Sequence, residues 1–219
     1  MSEVQDGYRA VLSFAPLYDG FQRLVGAVAA RRRIVLDYLG LRPGQRVLDI
    51  GCGTGALLEQ MPVDVEYVGF DVSQSYIERA RARFGGRALF MCTSLQAADL
   101  SSFPPFDLAV AMGVMHHLDD GEARQAFRLG ASALHASGRM VAVDPCWTPR
   151  QHPVARMLIE RDRGQNVRDA ASYAHLGSSC FGEVEVSVRT DLLRVPFTHA
   201  IVTARRPTPR PIHAGDVEQ

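Results

Sequence analysis

The chain has 219 residues, of which 47% are hydrophobic and 22% are charged, and its 24 basic side chains balance its 24 acidic ones. This length suits a single hydrophobic core, and no apolar stretch approaches the roughly 18 residues of a membrane span. A balanced charge excludes long-range attraction to nucleic acid or to anionic lipid. We therefore expect one soluble domain, monomeric or homodimeric, with no nucleic-acid or membrane partner.

The amino terminus, MSEVQDGYRA, has no basic segment followed by an apolar one, so we expect no secretory signal and a cytoplasmic protein. The four cysteines are scattered along the chain and form no CxxC pair. This pattern predicts free thiols and no metal site.

Apolar and aromatic positions recur at helical spacing over residues 8–40, with one break at Pro16, and predict two helices. The turn Arg42–Gln45 precedes RVLDI, a short buried strand that runs into a glycine loop. A helix is expected over residues 56–61.

Strand and helix then alternate regularly along the chain. This alternation predicts a mostly parallel sheet with helices on both faces. The predicted elements are a strand VEYVGFDV, a helix 73–84 capped by Ser73, a strand RALFMC, a strand FDLAVAMGV, a helix 121–136 that stops at Ser137-Gly138, and a strand GRMVAVDP.

The last third of the chain departs from that rhythm. Residues 146–180 read as loop and helix, and residues 183–206 as two strands around a short connection. Such a hairpin adds an antiparallel pair to the sheet, which a simple dinucleotide fold lacks. The proline-rich residues 207–219 are predicted to be a disordered tail.

Glycines at positions 51, 53 and 55 allow a tight turn and let a ligand lie directly on the backbone at the end of the first strand. Read through Ala56, the loop fits a dinucleotide fingerprint, with Asp71 as the ribose-binding acid. Asp49 opposes that interpretation, because its negative charge would repel a pyrophosphate and would suit an ammonium group. The pattern favours a cationic amino acid joined to a nucleoside.

The stretches VLDIGCGTG, GFDVS, FDLAVAMGVMHHLDD and GRMVAVDP, in this order, resemble the class I S-adenosylmethionine-dependent methyltransferases. The resemblance implies an α/β fold, a Rossmann-like doubly wound sheet of seven strands, mostly parallel with a C-terminal antiparallel hairpin. It implies one domain over residues 1–206, with a helical lid at 1–40 and an acceptor-site insertion at 146–180.

The resemblance also implies which residues bind the methyl donor. The loop after the first strand contacts the methionine portion, the acid after the second strand holds both ribose hydroxyls, and a serine replaces the aspartate that many relatives use for adenine. Tyr18 is expected to fold over the cofactor, or else to pack within an amphipathic helix. The predicted cofactor-binding residues are Tyr18, Asp49, Gly51, Cys52, Gly53, Asp71, Val72, Ser94, Leu95, Ala111, Met112 and His117.

His116 directly follows the fourth strand, where its imidazole is suited to accept a proton from the methyl acceptor. Alternatively, it orients the loop. Asp144, at the end of the fifth strand, orients His116, holds substrate, or only caps the next segment. Since methyl transfer mainly requires alignment, a general base is optional.

For the acceptor we expect Trp147 as an aromatic wall, Arg163 as a clamp for an anionic group, and Asn166 as a reader of a hydroxyl. The alternative is a surface helix in this segment. The sequence thus predicts methyl transfer from S-adenosylmethionine to a small molecule, leaving S-adenosylhomocysteine. A protein or RNA methyltransferase is the first alternative, and an NAD-dependent oxidoreductase or a non-catalytic nucleotide-binding module ranks below it.

Overall fold

Short apolar strands form the centre of the structure, a computed structural model that describes residues 26–162 and 164–208. Successive side chains of a strand point to opposite faces of the sheet, so Val47 packs in one core cluster and Leu48 in the other. The strands are β1 Arg46–Ile50, β2 Glu66–Asp71, β3 Ala88–Cys92, β4 Phe106–Met112, β5 Leu134–Trp147, β6 Arg168–Asp169, β7 Phe181–Arg189 and β8 His199–Pro207.

The strands lie in the order β3-β2-β1-β4-β5-β8-β7. The first five are parallel, whereas β8 runs antiparallel to both β5 and β7. This confirms the predicted doubly wound sheet with a terminal hairpin. The short strand β6 was not predicted, and it pairs with the end of β5 through Trp147 and Asp169.

Helices cover both faces of the sheet. On one face Phe127 and Tyr173 pack with Phe181 of the hairpin, and on the other Ile34 and Ile77 pack against the opposite sides of the same strands. The helices are α1 Ala27–Ile34, α2 Gln74–Phe84, α3 Asp120–Ala133, α4 Pro153–Glu160 and α5 Ala170–Ser178.

The segment after the glycine loop is shorter than predicted. Instead of a helix over residues 56–61, a single 3-10 turn forms at Leu58–Gln60, and Met61 is extended. A proline disfavours the helical conformation of the residue before it, and Pro62 places that restriction on Met61. The loop therefore ends in a turn, without an α-helix whose amino terminus would face a ligand.

The strand β5 also begins earlier than predicted. Helix α3 ends at Ala133, not at 136, and Ser137-Gly138 lies within β5 where the register with β4 shifts. Pairing of Leu134 with Phe106 begins the strand before this irregularity, so the glycine accommodates a bulge and not a helix end.

The predicted helical lid is described only in part. Helix α1 and the π turn Val35–Leu39 pack against one face of the sheet through Ile34 and Leu39. Residues 1–25 and 209–219, and with them most of the lid and the tail, lie outside the described residues. Among the helices that the structure describes, none has the length and apolarity needed to cross a bilayer.

His199, at the start of β8, has a buried ring atom, Nδ1, without a hydrogen-bond partner among the described residues. Its ring lies 4.8 Å from that of Phe197. Burial lowers the pKa of His199 to about 4. Because the unfolded chain takes up this proton first, the folded state is expected to lose about 2–3 kcal/mol as the pH falls from about 6.5 to 4.

We predict that His199→Leu reduces this acid-dependent loss, since leucine has no proton to gain on unfolding. Urea unfolding at pH 7 and pH 4.5 measures it for both proteins, and His175→Leu, on an exposed position of α5, is the matched control. Equal acid sensitivity of the wild type and His199→Leu would contradict the prediction.

Candidate functional site

The glycine loop between β1 and the 3-10 turn has three left-handed glycines. The φ angles of Gly51, Gly53 and Gly55 are 70°, 53° and 73°. A Cβ on Gly51 would lie 2.6 Å from Val114, so that glycine lets two loops approach each other. A Cβ on Gly53 would meet nothing within 4 Å, which leaves open backbone for a ligand.

Asp71 organises this loop from the end of β2. Its carboxylate accepts hydrogen bonds from the backbone N–H of Gly53 at 3.0 Å and of Ser73 at 2.8 Å. A carboxylate offers about four acceptor positions, so two remain for a ligand. The adjacent Val72 is 73% exposed, which leaves an apolar surface beside the acid.

Asp49 lies beneath the loop and is only 2% exposed. Burial raises the pKa of its carboxyl to about 7, although the hydroxyl of Tyr67, which donates to it at 2.5 Å, opposes the rise. A nearby cationic group would favour the ionised form. The carboxyl group that we predict to hold an ammonium group therefore lies at this edge of the sheet. Its burial sets its pKa, and hence its charge.

The other predicted cofactor residues are spread along the same edge. Cys52 is buried against Gly69 of β2, and burial raises the pKa of its thiol. Ser94, after β3, accepts from the N–H of Ala97 at 3.3 Å, so part of its hydroxyl is engaged locally. Leu95 is partly buried after β3, and Ala111 and Met112 end β4, the first fully and the second partly buried.

His116 connects the ends of β4 and β5. Its Nδ1 lies 2.6 Å from Oδ1 of Asp144, and that same oxygen accepts from the His116 backbone N–H at 3.1 Å. The other ring nitrogen, Nε2, lies 3.1 Å from a carboxylate oxygen of Asp162, which follows α4. Both nitrogens of the buried imidazole thus face carboxylates, and the predicted orientation of His116 by Asp144 is present.

These contacts decide the charge of the imidazole. Burial alone would lower the pKa of His116, but hydrogen bonds to Asp144 and Asp162 outweigh it and raise the pKa to about 9. Burial raises the pKa of Asp144, and the contacts with His116 only partly oppose this. Burial would also raise the pKa of Asp162, but bonds from His116 and from the Gly164 N–H outweigh it and lower that pKa. At neutral pH His116 therefore carries a proton on both nitrogens.

The segment after α4 is tied to the turn that carries His116. The N–H of Asn166 donates to the His116 carbonyl at 2.9 Å. The buried guanidinium of Arg168 donates to the carbonyls of Met115 and Leu118, both at 2.8 Å, and forms an ion pair with Asp120. The segment after α4 and the histidine turn, Met115–His117, therefore form one hydrogen-bonded unit.

The remaining predicted residues have mixed outcomes. Trp147 is half-buried at the end of β5, and Asn166 is near His116 through its backbone. The ring of His117 lies 4.0 Å from that of His116, which brings this predicted cofactor residue to the same cluster. Tyr18 and Arg163 lie outside the described residues.

Sequence reasoning missed Asp162, Gly164 and Arg168. All three belong to the polar segment in which Arg163 and Asn166 were given roles. Asp162 and Gly164 contact His116, and Arg168 contacts its neighbours Met115 and Leu118, in each case across more than 40 residues of chain. No local sequence pattern predicts such contacts. The one available signal was a glycine within a polar and charged segment that had been assigned to the acceptor site.

Residues 47–138 match the model of the methyltransferase domain family. This match runs from β1 to the start of β5 and includes the glycine loop, Asp71 and the histidine turn. The chain therefore contains a domain of this methyltransferase family, which agrees with the predicted class I S-adenosylmethionine-dependent superfamily. The predicted cofactor, S-adenosylmethionine, is that of the family.

Similar proteins agree with this assignment. Over 165 residues the chain is 31% identical to phosphoethanolamine N-methyltransferase 3 of Arabidopsis thaliana, and the alignment covers 71% of this chain and 32% of that protein. An uncharacterized methyltransferase of Geobacillus thermodenitrificans is 27% identical, with 73% of each chain covered. The chain spans about a third of the length of the plant relatives that it matches.

Solved structures show the fold. Human N-acetylserotonin methyltransferase in complex with S-adenosylmethionine has a TM-score of 0.62 to this chain at 16% identity, with 84% of this chain and 52% of that chain covered. At this identity the likeness extends to the fold alone.

Gly164 provides a test of the contact between the segment after α4 and His116. A Cβ there would lie 1.9 Å from Cδ2 of the imidazole and 2.7 Å from the His116 carbonyl oxygen. We predict that Gly164→Ala lowers the free energy of unfolding by about 1–3 kcal/mol, because overpacking forces the segment away.

Urea unfolding measures this loss. The control is Gly86→Ala, because a Cβ at Gly86 would meet nothing within 4 Å. If Gly164→Ala were as stable as the control, the segment would not pack on His116 in solution.

Proposed function

We propose that this protein transfers the methyl group of S-adenosylmethionine to a small-molecule acceptor. One juxtaposition carries the proposal: the open glycine loop and Asp71 end β1 and β2, while the bonded pair of His116 and Asp144 ends the neighbouring β4 and β5. Carboxyl ends of parallel strands meet at one edge of the sheet, where such folds bind ligands. A donor site and an acceptor site can therefore adjoin there.

The residues present fit the methyl donor. The backbone at Gly53 is open, Asp71 retains acceptor positions for two ribose hydroxyls, and Asp49 offers a carboxylate for the ammonium group. Val72 and Leu95 supply apolar surface for adenine. We assign Gly51, Cys52, Ser94, Ala111, Met112 and His117 to the lining of the same pocket, and Tyr18 to its cover.

Names of similar proteins support a small acceptor. Relatives include plant phosphoethanolamine N-methyltransferases and an O-methyltransferase of Aspergillus sclerotiorum, which is 33% identical over 131 residues. We assign the acceptor wall to the segment after β5, with Trp147, Arg163 and Asn166 as contacts. A protein or RNA acceptor has no comparable support.

The bound cofactor supplies a sulfonium whose sulfur keeps the bonding pair as the methyl group moves to the acceptor, leaving S-adenosylhomocysteine. The protein must align the acceptor lone pair with the methyl carbon, exclude water, and take up a proton where the acceptor loses one. The segment 164–168, tied to the histidine turn, is suited to excluding water.

His116 can accept a proton only after a change at Asp162. With its proton held between two carboxylates, the imidazole is a cation at neutral pH. An acceptor that displaces Asp162 from Nε2 also removes one of the two charges that raise the pKa. Acceptor entry would then both expose the nitrogen and move its pKa toward neutrality, where a base is most effective.

The donor site is tested by Asp71→Ala. We predict that S-adenosylmethionine binding weakens by about 1–3 kcal/mol, because charge-assisted hydrogen bonds to the ribose are lost. Calorimetry with S-adenosylmethionine, S-adenosylhomocysteine and NAD measures it, with Asp64→Ala, at an exposed position after the 3-10 turn, as control. Unchanged affinity would remove Asp71 from the site, and binding of NAD alone would exclude methyl transfer.

The acceptor side is tested by His116→Ala and Asp144→Asn. A screen of metabolite extracts for mass gains of one methyl group first identifies an acceptor. We then expect each substitution to lower kcat by about 10²–10⁴-fold, with the dissociation constant of S-adenosylmethionine nearly unchanged. His175→Ala is the control, and undiminished turnover in both variants would reduce the pair to a structural role.

A further inference from the structure

Three potential metal ligands come together beside the proposed donor site. The imidazoles of His116 and His117 and the carboxylate of Asp162 each offer one ligand atom, and these atoms all lie within 4.8 Å of one another. His116 is buried, whereas His117 and Asp162 are exposed, so the cluster has a protein side and an open side. Two chain segments far apart in sequence supply it, the turn after β4 and the end of α4.

The spacing of two of these ligands suits a shared cation. Nε2 of His116 lies 3.1 Å from Oδ1 of Asp162. Two ligands bound tetrahedrally to zinc at about 2.0–2.1 Å lie about 3.3 Å apart. The imidazole of His116 and the carboxylate therefore need little movement, and a ligand atom of His117 lies within 4.8 Å of both.

The surroundings of His116 resemble the support that metal-bound histidines need. A ligating imidazole generally donates its other N–H to a carboxylate, which fixes the ring and its tautomer. Asp144 occupies that position on Nδ1 at 2.6 Å, and the Gly164 N–H similarly donates to Oδ1 of Asp162 at 2.8 Å. A further hydrogen bond, from His116 to Asp144 and from the Gly164 N–H to Asp162, therefore orients each of these two ligands.

Charge also favours a dication. The carboxylates of Asp144 and Asp162 face the two nitrogens of one imidazole, and Oδ2 of Asp144 is buried without a partner among the described residues. A divalent cation bound to neutral imidazoles balances the two carboxylates. The ion would replace the proton on Nε2, so its affinity falls as the pH falls.

We propose that His116, His117 and Asp162 form a binding site for a late first-row divalent cation, with Asp144 as the supporting carboxylate. Two imidazoles and one carboxylate suit zinc, cobalt or iron better than magnesium or calcium. Three protein ligands leave a fourth position open. If the proposed methyl transfer holds, an oxygen of the acceptor would take that position, and Nε2 of His116 would then be a ligand and no longer the base.

The experiment uses untagged, full-length protein that has been dialysed against chelator and then titrated with Co²⁺. We expect one equivalent to bind, with the visible bands of a cobalt site that has nitrogen and oxygen ligands and without the charge-transfer band of a thiolate. This last point excludes binding by Cys92, which is exposed. Calorimetry with Zn²⁺ gives the affinity.

Variants assign the ligands. His117→Ala and Asp162→Ala should each weaken Co²⁺ binding by at least about tenfold, and Asp144→Asn by about 10–100-fold. His175→Ala should leave binding unchanged. His116→Ala can disturb the buried turn, so the two exposed ligands decide the matter.

Failure of the wild type to bind one equivalent of Co²⁺, or undiminished binding in both His117→Ala and Asp162→Ala, would overturn the proposal. Binding of S-adenosylmethionine by the metal-free protein is measured in parallel. A protein that binds S-adenosylmethionine but not Co²⁺ would contradict the metal site and leave the proposed methyl transfer intact. One that binds Co²⁺ but not S-adenosylmethionine would support the metal site and contradict the proposed methyl transfer.

Discussion

The carboxylate of Asp144 joins three parts of the molecule that the chain keeps far apart. It lies three residues before the end of β5, accepts hydrogen bonds from the backbone and the ring of His116 after β4, and through that ring faces Asp162 after α4. Because Asp144 is buried, its charge is tolerable only while the imidazolium is there. This buried ion pair therefore acts together with the Arg168 and Asn166 hydrogen bonds to position the segment after α4 over the sheet.

Local and repetitive features of the sequence were sufficient for the fold. Apolar runs such as RVLDI and FDLAVAM correspond to β1 and β4, and the final alternating stretch corresponds to the hairpin of β7 and β8. The errors occurred where one residue restricts its neighbours. Pro62 shortens the segment after the glycine loop, and Gly138 belongs to a bulge in β5 and not to a helix end.

For the site, sequence order was a better guide to position than to chemistry. Strand ends predicted where Asp71, His116 and Asp144 lie, because parallel strands share an edge. The protonation of His116 was beyond such reasoning, since it depends on Asp162, 46 positions further along the chain. Scattered cysteines led to the expectation of no metal site, yet the cluster that we propose as one contains no cysteine.

Arg168 links the segment after α4 to the histidine turn, because it donates to backbone carbonyls of both. Replacing one of the two by the corresponding stretch of a relative would therefore break these hydrogen bonds. A chimera that takes residues 148–169 from a relative would leave the carbonyls of Met115 and Leu118 facing a segment that was not selected to donate to them. An exchange that keeps these hydrogen bonds therefore has to include residues 113–120 of this protein as well. A change of acceptor by recombination would require two separate stretches of the gene to move together.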